Sequence, residues 1–244
     1  MAGHSKWANI KHRKGKADAK KGKIFSRSAK EIISAVKLGG PDRSSPRLRL
    51  AIQKAKDNNV PNEIIERNIK KASSADQANY DELTYEIYGH GGVGLVVGVM
   101  TDNKNRSSSD MRIATNKRGG SIAAPGSVLF NFDQKGVIEI AKEGVSEDQL
   151  FLAATEAGAE DFEVEEGDFI LTTDPTNLAN VKDALTQAGY KCTSAELEMI
   201  PKSYIECDEE TAKANLALID WLEELDDVDT VFHNMKIPDD LQID

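Results

Sequence analysis

The charge of this sequence is partitioned along the chain, and the partition limits the folds open to it. Residues 1–75 hold 19 Lys or Arg against 6 Asp or Glu, a net +13, whereas residues 76–244 hold 12 against 35, a net −23. Together they give the formal −10 of a 244-residue chain, so overall acidity hides a basic module in front of an acidic body. The hydrophobic pattern changes at the same place, from helical spacing to strand-like alternation. Separate packed units are therefore expected, not one mixed core.

The first 23 residues, MAGHSKWANIKHRKGKADAKKGK, are the most cationic stretch, with eight Lys or Arg and one acid, Asp18. Behind this arm Phe25, Ala29, Ile32, Ile33 and Val36 form one helical stripe that Gly39-Gly40 stops. Ser45 and Pro46 suit the cap and first position of a second helix, with Leu48, Ala51, Ile52 and Ala55 inward. Arg47 and Lys54 lie on one flank of that face, and Arg49 and Lys56 on the other. A third helix after Pro61 turns Ile65, Ile69 and Ala72 inward and Arg67, Lys70 and Lys71 outward. Three short helices bury such stripes against each other or against a neighbouring unit.

A basic helical unit with a cationic arm suits a phosphate backbone. The candidate contacts are Lys6, Lys11, His12, Arg13, Lys14, Lys16, Lys20, Lys21, Lys23 and Arg27, then Arg47, Arg49, Lys54, Lys56, Lys70 and Lys71. Trp7 has two readings, a base-stacking ring or a pin holding the arm on the protein's own apolar surface, and nearby Ile10 favours the pin. His4 and His12 have no suitably spaced Cys or carboxylate with which to hold a metal.

SSADQANYDE reads as a linker near residue 76, and strands follow it. LTYEIYG, the turn HGG and VGLVVGVMTD suggest a strand pair, then a helix from about Asn103 to Arg118, then SVLFNF as a strand closed by the turn DQKG. Residues 136–204 carry a β-α-β-β-α-β order, the ferredoxin-like split motif, with 15 acidic and 4 basic residues. SYIEC, a helix carrying Ala214, Leu218, Trp221, Leu222 and Leu225, and VDTVFHNM are expected to complete the sheet begun near Leu83. The expected fold is α+β in three domains: a basic helical domain of residues 1–76, a discontinuous α/β middle domain of 77–135 plus 205–244, and an acidic ferredoxin-like insertion of 136–204. Within the middle domain Lys104, Arg106, Arg112, Lys117 and Arg118 make a secondary basic patch. It extends a nucleic-acid surface, holds the insertion by salt bridges, or is simply the charged side of a capped surface helix.

Catalytic chemistry finds little support. YGHGGVGLVVG lacks the G-x-x-x-x-G-K-[ST] phosphate loop, and its glycines precede or enter a strand, where a tight turn explains them. His90 has no evident acid or nucleophile partner, and Cys192 and Cys207 have neither metal nor disulfide spacing. No enzyme, cofactor or metal is expected. No apolar run approaches the roughly 20 residues of a membrane span, and the basic start lacks the apolar core of a signal peptide. A transit peptide is the rival reading of that start, weakened by its Lys-rich, Ser-poor composition. A cytoplasmic protein is expected.

The stretches MAGHSKWANIKHRK, GKIFSR, PRLRLAIQKAK, IERNIKKA, YEIYGHGG, TDNKNR and GGSIAAPGSV, in that order, closely resemble the YebC/PmpR family. His90 stands where that family commonly has Pro, and GKADAKKG is unusual after HRK. The resemblance implies a three-domain protein with a basic helical first domain and two α/β domains around a cavity, and no catalytic residue. It also implies two functions: a DNA-binding transcriptional regulator, or a ribosome- or RNA-binding translation factor like the mitochondrial activator of cytochrome oxidase translation and relatives that relieve stalling at proline runs. The arm and the first domain's basic flanks carry either one. A protein scaffold working through its acidic domains is a third reading.

Overall fold

The computed structural model describes Trp7, residues 21–73 and residues 79–238. Most of the arm, with Lys6, Lys11, His12, Arg13, Lys14, Lys16 and Lys20, and most of the expected linker lie outside the described residues.

Three helices form the first unit: α1 (Lys21–Gly39), α2 (Pro46–Asp57) and α3 (Asn62–Ala72). Their stripes meet in one core of Ile32, Ile33, Val36, Leu48, Ala55 and Ile65, with Phe25 packed at its edge. Pro46 opens α2 at the position where its missing N–H costs nothing, although the Ser45 side chain makes no cap hydrogen bond.

The middle unit is an antiparallel sheet in the order β3-β1-β2-β9, from β1 (Asp81–Tyr88), β2 (Gly94–Thr101), β3 (Ser121–Ile122) and β9 (Val228–His233). Two helices, α4 (Lys104–Lys117) and α7 (Glu209–Glu224), bury Met111, Ala114, Leu218 and Leu222 against Ile87, Leu95, Val97 and Val99 of this sheet. Side-chain caps start both: Asn103 accepts from the Arg106 N–H and Asp208 from the Thr211 N–H.

Between β3 and α7 the chain builds a second antiparallel sheet, ordered β5-β6-β4-β7. Its strands are β4 (Phe132–Ala141), β5 (Asp161–Val164), β6 (Asp168–Thr173) and β7 (Cys192–Pro201). With α5 (Glu147–Ala157) and α6 (Leu178–Gln187) on one face, this is the expected ferredoxin-like insertion, packed on Ile138, Ile140, Leu150, Leu171 and Leu185.

Two sequence expectations fail here. Ser127–Asn131 is not a strand but a turn and a short 3₁₀ segment, and DQKG is not a turn. The strand instead starts at Phe132 and runs unbroken through Gly136. That glycine serves close packing: a Cβ there would stand 2.6 Å from Thr173 Oγ1 and 2.9 Å from Leu178 Cβ. Gly136→Ala is accordingly expected to lower stability by about 1–3 kcal/mol, measured by urea unfolding. SYIEC is the second failure. Its β8 (Ile205–Glu206) pairs in parallel with β10 (Met235–Lys236) in a separate two-stranded ladder and does not join the β1 sheet.

Candidate nucleic-acid interface

Helical geometry separates the cations of the first unit into two groups. Lys23, Arg27 and Lys30 recur at i, i+4 and i+7 and so share one face of α1, and that face is spent on the middle unit. Lys23 Nζ donates to the carbonyls of Glu223 and Leu225, and Arg27 Nη2 donates to that of Val228 at 2.9 Å. Lys30 Nζ donates to Asp227 Oδ1 at 3.0 Å and to the Asp226 carbonyl at 2.9 Å.

Asp227 is the centre of this contact. It is 8% exposed. Its Oδ2 accepts from Thr101 Oγ1 and Ser107 Oγ, each at 2.9 Å, and from Arg106 Nη2 at 2.7 Å. Burial pushes its pKa up, but hydrogen bonds from Arg106, Lys30, Ser107 and Thr101 more than offset that and hold it at about 2. One carboxylate thus ties α1 to β2, α4 and the loop before β9.

The flanks of α2 are engaged as well. Arg47 pairs with Glu82 of β1, Arg49 with Asp183 of α6 at 3.5 Å, and Lys182 of α6 with Asp57 at 3.1 Å. Lys54 pairs with Glu31 of α1 and feels Asp229 and Glu196. Burial opposes its charge, yet those three carboxylates hold the ammonium ionised well above the usual lysine range. Lys54 therefore stands where all three units converge.

What remains on the outer surface is the other side of α2 and α3: Lys56, Arg67, Lys70 and Lys71 are all exposed. Lys21 opens α1. In the secondary patch, Lys104 pairs with Asp81 and Arg106 with Asp102 and Asp227, so these two hold the fold together. Arg112 and Lys117 are exposed, and the Arg118 guanidinium sits 5.0 Å from the Trp221 ring centre.

The remaining candidates for chemistry are structural. His90 Nε2 lies 2.7 Å from the Arg118 carbonyl, which can only accept, so that nitrogen carries the proton. The ring packs against Gly119, and the His90 N–H donates to Asn215 Oδ1. Both cysteines are free thiols, pushed up in pKa by burial. Glu86, 7% exposed, accepts the N–H groups of Gly126, Val128 and Leu129. Burial raises its pKa, and these donors bring it below the usual carboxylate range, pinning residues 126–129 over the sheet. Among the described residues no group of three or more His, Cys, Asp or Glu is placed to hold a metal ion. No helix there is long and apolar enough to cross a membrane.

Trp7 supplies the remaining contact. It is 2% exposed, packed on Val137 and Ile170 beside Ile200, and its indole Nε1–H donates to Glu163 Oε2 at 2.9 Å. Of its two sequence readings, the pin is the one found, and its seat is on the acidic insertion. The sequence reading passed over Lys30 and Asp227 and left Arg67, though placed outward, out of the candidate contacts; the 23-27-30 spacing and the run Asp226-Asp227-Val228-Asp229 were the available signals.

A basic three-helix unit, clasped onto an α/β platform that carries an acidic ferredoxin-like insertion, defines a three-domain α+β protein with exposed positive charge along α2 and α3. The chain belongs to the TACO1/YebC family. Residues 5–75 match the family's N-terminal domain and residues 80–235 its second and third domains. It is 72% identical over 243 residues to a "Probable transcriptional regulatory protein" of Protochlamydia amoebophila, covering 99% of each chain. It is 60% identical over 237 residues to one of Chlamydia trachomatis serovar L2, covering 96% of this chain and all of that one. The crystal structure of a conserved hypothetical protein from Aquifex aeolicus superposes with a TM-score of 0.85 at 43% identity, covering 98% of this chain and 99% of that one.

Proposed function

We propose that this protein is a transcriptional regulatory protein of the cytoplasm that binds DNA through its basic N-terminal helical domain. The observation that carries the reading is the exposed row Lys56, Arg67 and Lys70 on α2 and α3, which among the described residues stand apart from the ion pairs of Arg47, Arg49 and Lys54 that hold the units together. These side chains stand on a packed scaffold, which is the arrangement phosphate contact requires. The names borne by the relatives agree with it. On this reading residues 1–76 are the binding unit and residues 77–135 with 205–244 the platform that orients it. Residues 136–204 are an acidic unit that repels nucleic acid from the far side.

The test is a salt titration of binding to duplex DNA. Six neutralised phosphates give a log–log slope of about −5. A slope near zero overturns the proposal. Structured RNA presents a similar field of phosphates, so it is titrated in parallel. Tighter binding to that RNA at equal salt moves the assignment from transcription to translation.

A further inference from the structure

Helices α5 and α6 cover one face of the insertion's sheet. Strand alternation puts Asp133, Glu139, Asp161, Glu163, Asp168, Glu196 and the buried Glu198 on the other, against one strand cation, Lys135. Open faces of this kind of sheet stack RNA bases when they carry aromatic residues. Here the aromatic ring is supplied by Trp7, 156 residues away from its hydrogen-bond partner Glu163. The ring fills the apolar centre made by Val137, Ile170 and Ile200, and its N–H donates to the Glu163 carboxylate.

We propose that this acidic face is the resting dock of the chain's own basic arm, with Trp7 as its plug, and that nucleic acid competes with the face for the arm. Two observations carry this. One is the seated indole. The other is charge complementarity: Met1–Lys23 holds eight Lys or Arg and one acid, and the face on which Trp7 is seated holds seven carboxylates, all but Glu198 reached by solvent. Chain connectivity fixes the scale. Lys6, Lys11, His12, Arg13 and Lys14 lie at most seven residues from Trp7, hence within about 25 Å of it. A four-stranded sheet is about 15–20 Å across. The carboxylates thus offer the arm the counter-charge that phosphates would offer, and the fold keeps them close at hand. The arm is held in check at rest and released by the polyanion it binds.

The proposal rests on the nucleic-acid reading, and one experiment separates the two. Trp221→Phe leaves Trp7 as the only tryptophan of the full-length chain. Without ligand its emission should be blue-shifted and poorly quenched by acrylamide. A duplex DNA and a structured RNA are then titrated in at low salt. The expected result is a red shift and a several-fold rise in quenching that track the binding curve. Glu163→Gln, added to the same background, should loosen the indole and tighten nucleic-acid binding several-fold. Binding that leaves Trp7 shielded overturns the dock, as does a Trp7 already exposed without ligand or a Glu163→Gln variant with unchanged affinity. Absence of binding to either polymer overturns the nucleic-acid reading itself and the dock with it.

Discussion

Asp227→Ala is expected to lower the thermal unfolding midpoint by roughly 6–12 °C, read by calorimetry at neutral pH. Removing one member of a buried, hydrogen-bonded charge cluster costs about 3 kcal/mol, and a chain of this size loses about 2–4 °C per kcal/mol. The loss is large because Lys30 and Arg106 keep their charges while Thr101 and Ser107 lose an acceptor. The same carboxylate predicts an acid dependence. Its folded pKa is depressed to about 2 from an ordinary 3.8. Its contribution is therefore complete above about pH 4 and lost as the pH falls toward 2. That contribution is roughly 2.5 kcal/mol, each tenfold change in proton affinity being worth about 1.4 kcal/mol. Asp227→Asn should remove this part of the acid transition and leave the part due to other carboxylates. An acid profile identical to that of the wild type would count against the assignment.

The second large effect concerns binding. The triple variant Lys56→Gln, Arg67→Gln and Lys70→Gln should keep the unfolding midpoint, since these side chains are exposed and outside the interdomain ion pairs. It should reduce the salt slope by about 2.7, the loss of three phosphate contacts, and weaken DNA binding by a factor of several hundred at 0.1 M salt. The contrasting triple variant, Arg47→Gln, Arg49→Gln and Lys54→Gln, removes partners of Glu82, Asp183 and Glu31. Its expected effect is on stability and proteolytic resistance, with a smaller change in slope. If the two triples exchange these effects, the outer row is not the binding surface.

The helices of the first unit were legible because their stripes are local and the residues that bury them lie three or four apart. The insertion was legible for a similar reason, as its β-α-β-β-α-β order shows in alternation and turn residues. What escaped depends on distance along the chain. Nothing near Gly136 announces that Leu178 will pass within reach of its α-carbon, so the glycine resembled a turn. Nothing near Lys23, Arg27 or Lys54 says that their partners lie at the end of α7 and the start of β9, in α1 and on β7. A cation that binds phosphate and one that binds a distant carboxylate look alike in one dimension. For Trp7 a local clue did suffice: a large ring among lysines needs an apolar seat more than it needs water.

The strand β4 has a mechanical consequence. Phe132, at its start, packs with Val96 and Val128 of the middle unit, and Ile138 and Ile140 pack in the insertion, all within one unbroken ten-residue strand. Its partner β7 spans the same two cores, through Met199 at one end and Ala195 at the other. The two units are joined by a ribbon about 33 Å long, with no hinge of loose chain within it. A load on the insertion, such as a tug from an arm being drawn away, travels along this strut into the sheet that carries the helical unit. Insertion and middle sheet are thereby expected to lean as one piece.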